Sequence, residues 1–324
     1  MDKSADRNHL ITVIVCTYQR PLFLKKCLES LLSNTHENYE IIVVGQGTDQ
    51  TPQVVVNDHF RNNSTIKCVH SEAVGLSTAR NIGCHYARGD VIAFIDDDAI
   101  ASPEWMEGYA EIFHQITPVP GMVGGMIEPL WEIQRPHWYP IEREFLLGIY
   151  NIGNEIRPFP DTDLPIGANF AILRSIVQSL GGFDERLGFN INRKHSMIAG
   201  EDSLFALRIK EAGYRIYYQP KSKVYHHISS AKLTKKYFLK RHFWEGVTHV
   251  AVEACGGIAN GKRLRGHLLW NLKKALLTGT DISKIYFSPN EQRSPQVMLK
   301  LSEMACSMGA CIKSLGLLMK NRLA

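Results

Sequence analysis

Three adjacent carboxylates, Asp96, Asp97 and Asp98, end an apolar run, VIAFID, within a chain of 324 residues. Neighbouring carboxylates raise one another's pKa, so a fold tolerates them best when a cation neutralises them. Hard oxygen ligands suit Mg²⁺ or Mn²⁺, which keep positions open for substrate phosphates. The triplet therefore predicts a divalent-metal site, with a solvated acidic turn as the alternative.

A second acidic pair, Glu201 and Asp202, begins the segment GEDSLFALRIKEAG, which has helical periodicity. Carboxylates in the first turn of a helix are favoured by its dipole, so capping alone would explain the pair. The functional interpretation is that one carboxylate is a general base for an acceptor hydroxyl. The pattern leaves both interpretations open.

Basic side chains near these acids are further candidates. His226 and His227 follow a predicted strand, where alternation directs them to opposite faces, and either one could join a metal or a diphosphate. Arg80, in GLSTARNIG, lies one helix ahead of the acid triplet and could face a diphosphate or a base. The alternatives are ordinary core or surface side chains.

The elements that must position these residues alternate along the first hundred residues. Buried β-branched runs predict strands at 10–17, 39–45, 66–70 and 91–96, and helices are predicted from Pro21 and over 77–87. This order is typical of a doubly wound, mainly parallel α/β sheet, in which ligands bind beyond the carboxyl ends of the strands. The polar clusters come at those ends.

The later part of the chain is less regular. Residues 121–176 contain proline-rich stretches that favour loops and short antiparallel strands. A helix is predicted at 203–212, and short strands at 215–218 and 222–226. From residue 234 on, the pattern predicts helices rich in basic residues. We therefore predict a catalytic domain over 1–230 and a basic, mainly helical region over 231–324.

Charge is distributed unevenly between these parts. Residues 221–324 contain 18 Lys and Arg against 5 Asp and Glu, whereas the whole chain has a net charge of +5. Segments 232–244 and 261–277 mix basic residues with leucines and aromatics. They predict helices that lie on an anionic membrane surface, or amphipathic helices that pack on the core with a solvated basic face. No nucleic-acid-binding motif accompanies the charge, so no nucleic-acid partner is expected.

Eight motifs in a fixed order carry a resemblance to a known family. They are TYQRPLFL, EIIVVGQGTDQT, GLSTARNIG, FIDDD, LPIGANFAILR, GGFDERLG, GEDSLFALRIKEAGYRIYYQP and VYHHI. Over residues 10–250 the chain resembles the family 2 glycosyltransferases of the GT-A fold. The resemblance implies an inverting enzyme that moves a sugar from a nucleotide-diphosphate donor to a hydroxyl of a glycan or lipid-linked acceptor. Cell-surface polysaccharide synthesis is the usual setting of such enzymes.

The resemblance also implies a role for each matching residue. Asp202 would be the catalytic base, with Glu201 and Trp131 on the acceptor side. The metal, Mn²⁺ or Mg²⁺, would be bound by Asp98 and His226. The residues implied for nucleotide-sugar binding are Thr17, Arg20, Arg80, Asp96, Asp97, Gly167 and Asn169, and Asp49 is a further candidate for that role.

One position departs from the family pattern. The second strand usually ends in an Asp that contacts the nucleobase, and here that position is Gly45. Gln46 or Asp49 are candidate substitutes, so the base is not assigned as uracil. The departure also motivates an alternative function, a non-catalytic protein of the same fold that binds a donor or a glycan.

Other classes fit less well. No glycine-rich loop follows the first strand, which argues against a nicotinamide-dependent oxidoreductase and a sugar nucleotidyltransferase. The seven cysteines include no CxxC pair, and the first residues lack an apolar signal segment. We therefore expect a cytoplasmic protein, with peripheral placement at the inner face of the plasma membrane as a further expectation.

Overall fold

The structure, a computed structural model, describes residues 9–193, 196–286 and 293–323, and these contain one nine-stranded sheet. Its strands run in the order β3-β2-β1-β4-β8-β6-β9-β5, with β7 paired to β9. The strands are β1 (Ile11–Cys16), β2 (Tyr39–Gln46), β3 (Ile66–Ser71), β4 (Val91–Asp96), β5 (Ala99–Ala101), β6 (Met122–Trp131), β7 (Arg157–Pro158), β8 (Asn169–Leu173) and β9 (Ile216–Ile228).

The helices follow the strands in the first half and gather at the end of the chain. They are α1 (Pro21–Leu32), α2 (Thr51–His59), α3 (Leu76–Tyr86), α4 (Trp105–Gln115), α5 (Arg174–Leu180), α6 (Glu201–Glu211), α7 (Lys235–Cys255), α8 (Gly261–Tyr286) and α9 (Arg293–Leu323). Two short 3₁₀ helices cover Ile141–Leu147 and Ser230–Leu233.

The first four strands of the sheet order, β3, β2, β1 and β4, are mutually parallel, as the strand–helix alternation predicts. β1, β2 and β4 are rich in β-branched residues and buried on both faces, which is typical of parallel strands covered by helices. β3 lies at the edge of the sheet, and its Lys67 and His70 are exposed. On one face, Val13 and Val15 pack with Leu28 of α1. On the other, Ile14 packs in a core that includes Phe205 of α6.

The second half of the sheet corrects two predictions. Residues 121–176 contain the ten-residue strand β6, which pairs with β9 in parallel and with β8 antiparallel. The two short strands predicted at 215–218 and 222–226 are one strand, β9, of 13 residues. Between the two predicted strands lie Gln219, Pro220 and Lys221, a polar residue, a proline and a charged residue that interrupt the apolar pattern and conceal the continuity of β9.

The last three helices pack against each other and against the sheet domain. At the crossing of α7 and α9 the backbones touch: a Cβ on Gly246 would collide with Cys306 O, and one on Gly309 with Phe243 O. Helix α8 runs antiparallel to α9, since Cys311 lies next to Leu268 and Lys300 lies next to Asp281. In the part of the chain that is described, no helix combines the length and apolar character needed to cross a membrane.

Helix α7 joins this helical region to the sheet domain. Ala251 and Val252 of α7 form an apolar cluster with Leu187 and with Leu204 of α6. The basic C-terminal region therefore packs on the sheet domain through α7 and through Met298 of α9, which is one of the two arrangements expected. The division of the chain at residue 230 stays a prediction.

Candidate active site

A cleft of about 500 Å³ opens at the carboxyl ends of β1, β2 and β4. Thr17 follows β1, Gln46 ends β2, and the acid triplet begins at the last residue of β4. The beginnings of α6 and α7 close the other side. This is where a doubly wound sheet binds its ligands.

Asp97 and Asp98 share the guanidinium of Arg20 and differ in their other partners. Asp97 accepts hydrogen bonds from the Thr17 hydroxyl at 2.6 Å and from Arg20 Nη1 at 3.0 Å. Asp98 Oδ2 lies 3.0 Å from the same guanidinium nitrogen, and its Oδ1 lies 3.2 Å from His226 Nε2. Arg20 therefore bridges two carboxylates that would otherwise repel each other.

The environments of Asp97 and Asp98 separate their pKa values. Burial, together with repulsion from Asp98, raises the pKa of Asp97 to about 6, although Arg20 and the Thr17 hydrogen bond oppose this. Burial alone would also raise the pKa of Asp98. The hydrogen bond and charge of His226, with the charges of Lys232 and Arg20, outweigh burial and hold that pKa well below its usual range. Asp98 is therefore the member of this pair held as an anion, as a metal ligand must be.

Asp96, Asp98 and His226 can point one ligand atom each to a common position. These atoms lie within 4.8 Å of one another, and the group is the one candidate metal cluster of its kind among residues 9–193, 196–286 and 293–323. Two carboxylates and an imidazole are a donor set that fits Mn²⁺, and the carboxylates also suit Mg²⁺. The pair predicted from the sequence, Asp98 and His226, is together in space, and the structure adds Asp96.

The two adjacent histidines lie on opposite faces of β9, as alternation predicts. His226 is buried in the cleft, and its Nδ1 is buried without a hydrogen-bond partner. The ring of His227 packs 4.9 Å from that of Phe23, centroid to centroid. Of the two, His226 is therefore the one available to a ligand in the cleft.

Arg80 is buried rather than exposed at the surface. Its Nη1 lies 2.6 Å from Glu201 Oε1, and its Nη2 donates to Gly167 O at 2.8 Å. Burial would lower its pKa, but the carboxylates of Glu201, Asp96 and Asp202 raise it, so the guanidinium stays charged. Arg80 thus links α3 to the start of α6 at the wall of the cleft.

Glu201 is the buried partner in this pair. Burial and repulsion from Asp202 raise its pKa to about 7, against the opposing effect of Arg80. Its second oxygen, Oε2, is buried without a hydrogen-bond partner. Glu201 therefore contributes to the cleft wall through Arg80.

Asp202 occupies the first turn of α6, after Gly200 in a left-handed conformation at φ +89°. Its Oδ1 accepts a hydrogen bond from the Ser203 N–H at 2.7 Å. Its Oδ2 faces Gly167, where an added Cβ would lie only 2.9 Å away from that oxygen. The lack of a side chain at Gly167 therefore keeps space open in front of one Asp202 oxygen.

Asn169 lies in the core, away from the cleft. Its Oδ1 accepts from Trp105 Nε1 and the Tyr109 hydroxyl, both at 2.7 Å. Its Nδ2 donates to Met126 O at 2.9 Å and to Ser222 O at 2.8 Å. Every hydrogen-bonding position of this amide is filled by protein groups. Asn169 therefore holds β6, β8 and β9 together and has no free group for a sugar.

Asp49 and Trp131 also lie outside the lining of the cleft. Asp49 accepts from the backbone N–H of Gln19 and, at 3.0 Å, from that of Thr51, so both of its oxygens fix local backbone. Trp131 packs against an apolar cluster that includes Tyr139 and Leu147. The carboxylate of Asp49 is therefore not placed to read a base, and Trp131 supports the cleft from behind Leu147.

Gln46 takes the place next to the expected base-contacting position. The side chain of Gln46 lines the cleft, and its Oε1 accepts a hydrogen bond from the Gly75 N–H at 3.0 Å. Gly45 packs against Pro52, where a Cβ would lie 3.2 Å from the proline ring. Of the two candidate substitutes, Gln46 is the one in the cleft.

Sequence reasoning missed part of the lining. Lys232, Tyr237 and Arg241 reach the cleft from the region around the start of α7, and residues 145–148 also line it. These cations belong to the motif KLTKKYFLKRHFW, whose pattern predicts an amphipathic helix but does not show that its basic residues line the cleft. Among the described residues, the Lys232 ammonium makes no hydrogen bond or ion pair, although its charge lowers the pKa of Asp98.

Comparison with known proteins agrees with this architecture. The profile of the family "Glycosyl transferase family 2" matches residues 12–181. The glucosyl-dolichyl phosphate glucuronosyltransferase of Haloferax volcanii is 28% identical over 241 residues, which are 73% of this chain and 75% of that protein.

Two solved structures share the fold. The mannosyltransferase PcManGT from Pyrobaculum calidifontis, in complex with GDP-Man and Mn²⁺, aligns with a TM-score of 0.57 at 17% identity, over 94% of this chain and 86% of that one. GalNAc-T7 with UDP, GalNAc and Mn²⁺ aligns with a TM-score of 0.54 at 18% identity, over 77% of this chain and 51% of that one.

The fold and the cleft define a glycosyltransferase of the GT-A class, which uses a nucleotide-sugar donor. The chain belongs to glycosyl transferase family 2, because the family profile matches more than half of its length.

Proposed function

We propose that this protein is an inverting, metal-dependent glycosyltransferase with Asp202 as its catalytic base. One observation carries the proposal: the metal-ligand group of Asp96, Asp98 and His226 lines the same cleft as Asp202. A single displacement needs a leaving diphosphate, which the metal-ligand group would bind, and an attacking hydroxyl, which Asp202 would deprotonate.

The donor side would be formed by the strand ends. Thr17 and Arg20 hold Asp97 in place, and Arg20 keeps positive charge next to Asp98. Gln46 lines the part of the cleft next to Gly75, where we propose that it contacts the base. Because the position before it is Gly45, the donor nucleotide is left open between uridine, guanosine and other diphosphates.

The residues Asp96, Asp98 and His226 would hold Mn²⁺ or Mg²⁺. A divalent cation in this position offsets negative charge that builds on the leaving diphosphate. Lys232 lies on the same side of the cleft and acts on Asp98 electrostatically, so we propose that it adds a second positive charge for the phosphates.

On the acceptor side, Asp202 would remove the proton from the attacking hydroxyl. Its Oδ1 is held by the Ser203 N–H, which leaves Oδ2 directed at the open space beside Gly167. Arg80 and Glu201 would position this turn, and Trp131 would support the edge at residues 145–148. The segment 190–199 is a candidate lid, of which residues 194 and 195 lie outside the described residues.

The acceptor is proposed to be a sugar carried on a lipid phosphate, in cell-surface polysaccharide assembly. The name of the Haloferax relative, which specifies a glucosyl-dolichyl phosphate, supports a lipid-linked acceptor. Because such an acceptor lies at a membrane, we also propose that this protein works in the cytoplasm at the inner face of the plasma membrane.

A non-catalytic protein of the same fold is the second candidate. Gly45 is the observation that favours it, because the usual base-contacting carboxylate is missing there. Asp98 and Asp202 both line the cleft, which argues for catalysis instead.

The test is donor binding followed by transfer. Thermal melting is measured with UDP-, GDP-, dTDP- and CMP-sugars, each with Mn²⁺ and with chelator, because a ligand of the folded state raises the midpoint. A metal-dependent rise with one donor, followed by transfer to a lipid-linked sugar with inverted anomeric configuration, supports the proposal. Binding without transfer to any lipid-linked or free glycan would favour the non-catalytic candidate, and retained configuration would contradict the mechanism.

A further inference from the structure

Helix α8 presents large apolar side chains to solvent. Leu269, Trp270, Leu276 and Leu277 are 68%, 67%, 75% and 56% exposed. Their spacing of i, i+1, i+7 and i+8 places them on one face of the helix. Scattered apolar residues are normal on a surface, but four on two turns of a single helix indicate a binding face.

The same face is basic. Residues 261–280 contain five Lys and Arg and no Asp or Glu. Lys273 falls one turn from Leu269 and from Leu276, and Lys262 lies two turns before Leu269 on the same side. Both lysines are exposed, and neither has an ion-pair partner among the residues that the structure describes. Arg263 differs, since it pairs with Glu253 at 2.8 Å.

The opposite side of α8 is already used. Leu264 packs with Val250 of α7 and Ala310 of α9, and the buried Thr278 hydroxyl donates to Lys274 O. This side of the helix is therefore packed against α7 and α9. Its outward face, defined here by Lys262, Leu269, Trp270, Lys273, Leu276 and Leu277, is called the α8 face.

We infer that the α8 face docks on the surface of an anionic lipid bilayer. Leucines and a tryptophan would enter the interfacial layer while the lysines contact anionic headgroups, as in interfacial amphipathic helices. The apolar stripe is too interrupted by charge to span a bilayer, which agrees with the absence of a spanning helix in the described ranges.

A second copy of the chain is a poorer occupant for this face. In a two-fold symmetric contact the same patch meets itself, so the lysines of one copy would face those of the other. Without an acidic residue in 261–280, nothing in the segment would compensate that repulsion. Anionic lipid supplies the opposite charge.

The direction of α8 connects this face with the cleft. Its C-terminal end lies beside the start of α9, where Lys300 Nζ is 3.9 Å from Asp281. Met298 of α9 packs in one cluster with Leu147, which lines the cleft. The C-terminal end of α8 is therefore the end nearer to the cleft edge at residues 145–148. If the acceptor is lipid-linked, as proposed above, docking of α8 would hold the cleft close to the membrane that carries it.

The experiment is vesicle co-sedimentation of the full chain. Vesicles of phosphatidylcholine with phosphatidylglycerol are compared with vesicles of phosphatidylcholine alone. We expect binding to the anionic vesicles only, and Lys262→Gln with Lys273→Gln should reduce it by roughly tenfold or more, since each basic residue near the surface contributes on the order of 1 kcal/mol. The double variant Arg61→Gln with Arg215→Gln, which removes two exposed charges elsewhere, should bind like wild type.

The apolar residues are tested separately. Brominated phosphatidylglycerol should quench tryptophan fluorescence, and Trp270→Phe should remove most of that quenching. Trp270→Ala should weaken binding to the anionic vesicles. Val54→Ser, which removes an exposed apolar side chain on α2, is its control and should bind like wild type. Equal binding to both vesicle types, or unchanged binding after both lysine changes, would overturn the inference. A dimer that dissociates in Trp270→Ala would assign the face to a second copy. Transfer to a water-soluble acceptor is measured in parallel, so that a failure of docking is distinguished from a failure of the proposed reaction.

Discussion

Arg80 Nη1 lies 2.6 Å from Glu201 Oε1, and both side chains are almost completely buried. The pair ties α3 to the first turn of α6, where Asp202 is the next residue. The same guanidinium also donates to Gly167 O, so one cation fixes both sides of the space that Asp202 faces. A buried pair of this kind contributes position more than net stability.

Loss of one partner from this pair should be costly. Above pH 7, where the Glu201 carboxyl is ionised, Arg80→Met leaves that carboxylate buried without its cation, and we expect the free energy of unfolding to fall by about 3 kcal/mol. The double variant Arg80→Met with Glu201→Gln should regain a large part of that loss. Urea unfolding measures both. Arg88→Met is the control, because that side chain is exposed and its pair with Glu40 should contribute about 1 kcal/mol or less. An equal loss in Arg80→Met and Arg88→Met would contradict the buried-pair argument.

Replacement of the proposed base should separate catalysis from binding. Asp202→Asn keeps the size of the side chain but cannot accept the proton of the hydroxyl. We expect the transfer rate to fall at least about 100-fold, while the metal-dependent thermal shift with donor is retained. Transfer by the variant within about tenfold of wild type would exclude Asp202 as the base.

The two adjacent histidines provide a matched pair for the metal. His226→Ala removes a ligand from the group with Asp96 and Asp98, so the Mn²⁺ concentration for half-maximal donor binding should rise about tenfold or more. His227→Ala removes an imidazole that packs on Phe23 and should leave that concentration unchanged. Donor titrations at a series of Mn²⁺ concentrations distinguish the two. Equal effects of both changes would argue against His226 as a ligand.

The sequence was sufficient for β1, β2 and β4, because these strands are continuous apolar runs, and for the helices α1 and α3 between strands of the parallel half. It was insufficient for β9, where Gln219, Pro220 and Lys221 break that pattern, and for β6, which lies in a proline-rich region. The sequence also does not show the direction in which a side chain points. The family motif predicts that Asn169 lies at the donor site, whereas hydrogen bonds from Trp105 and Tyr109 hold its side chain in the core.

The cleft lining shows the same limit for charge. Lys232 and Arg241 belong to a basic run that resembles any amphipathic surface, and only the packing of α7 brings them to the cleft. Asp96 was assigned to the nucleotide by motif order, yet its carboxylate is within reach of the metal group. The roles of Lys232, Arg241 and Asp96 depend on which side chains lie next to them in the folded protein, and the sequence alone does not show this.

The space in front of Asp202 gives a steric prediction. In Gly167→Ala the new methyl group would lie 2.9 Å from both Asp202 Oδ2 and Arg80 Nη2, closer than ordinary contact. We expect a loss of transfer rate of about tenfold or more, since displacement of a catalytic group by roughly 1 Å is costly. Gly266→Ala on α8, where a Cβ meets open space, is the control. Steady-state transfer rates at saturating donor make the comparison, and an unchanged rate in Gly167→Ala would contradict the proposed position of the acceptor.

Glu201 gives a prediction for stability as a function of pH. Burial and repulsion from Asp202 raise its pKa from 4.5 to about 7, so the folded protein binds this proton more tightly than the unfolded chain does. The resulting stabilisation is fully present below pH 4.5 and is lost as the pH rises through about 7. Glu201→Gln removes this proton site. The melting temperature of wild type, relative to that of the variant, should therefore fall as the pH is raised from 5 to 7, at constant ionic strength. A difference that stays constant, or grows with pH, would show that the Arg80 cation outweighs burial and holds Glu201 ionised.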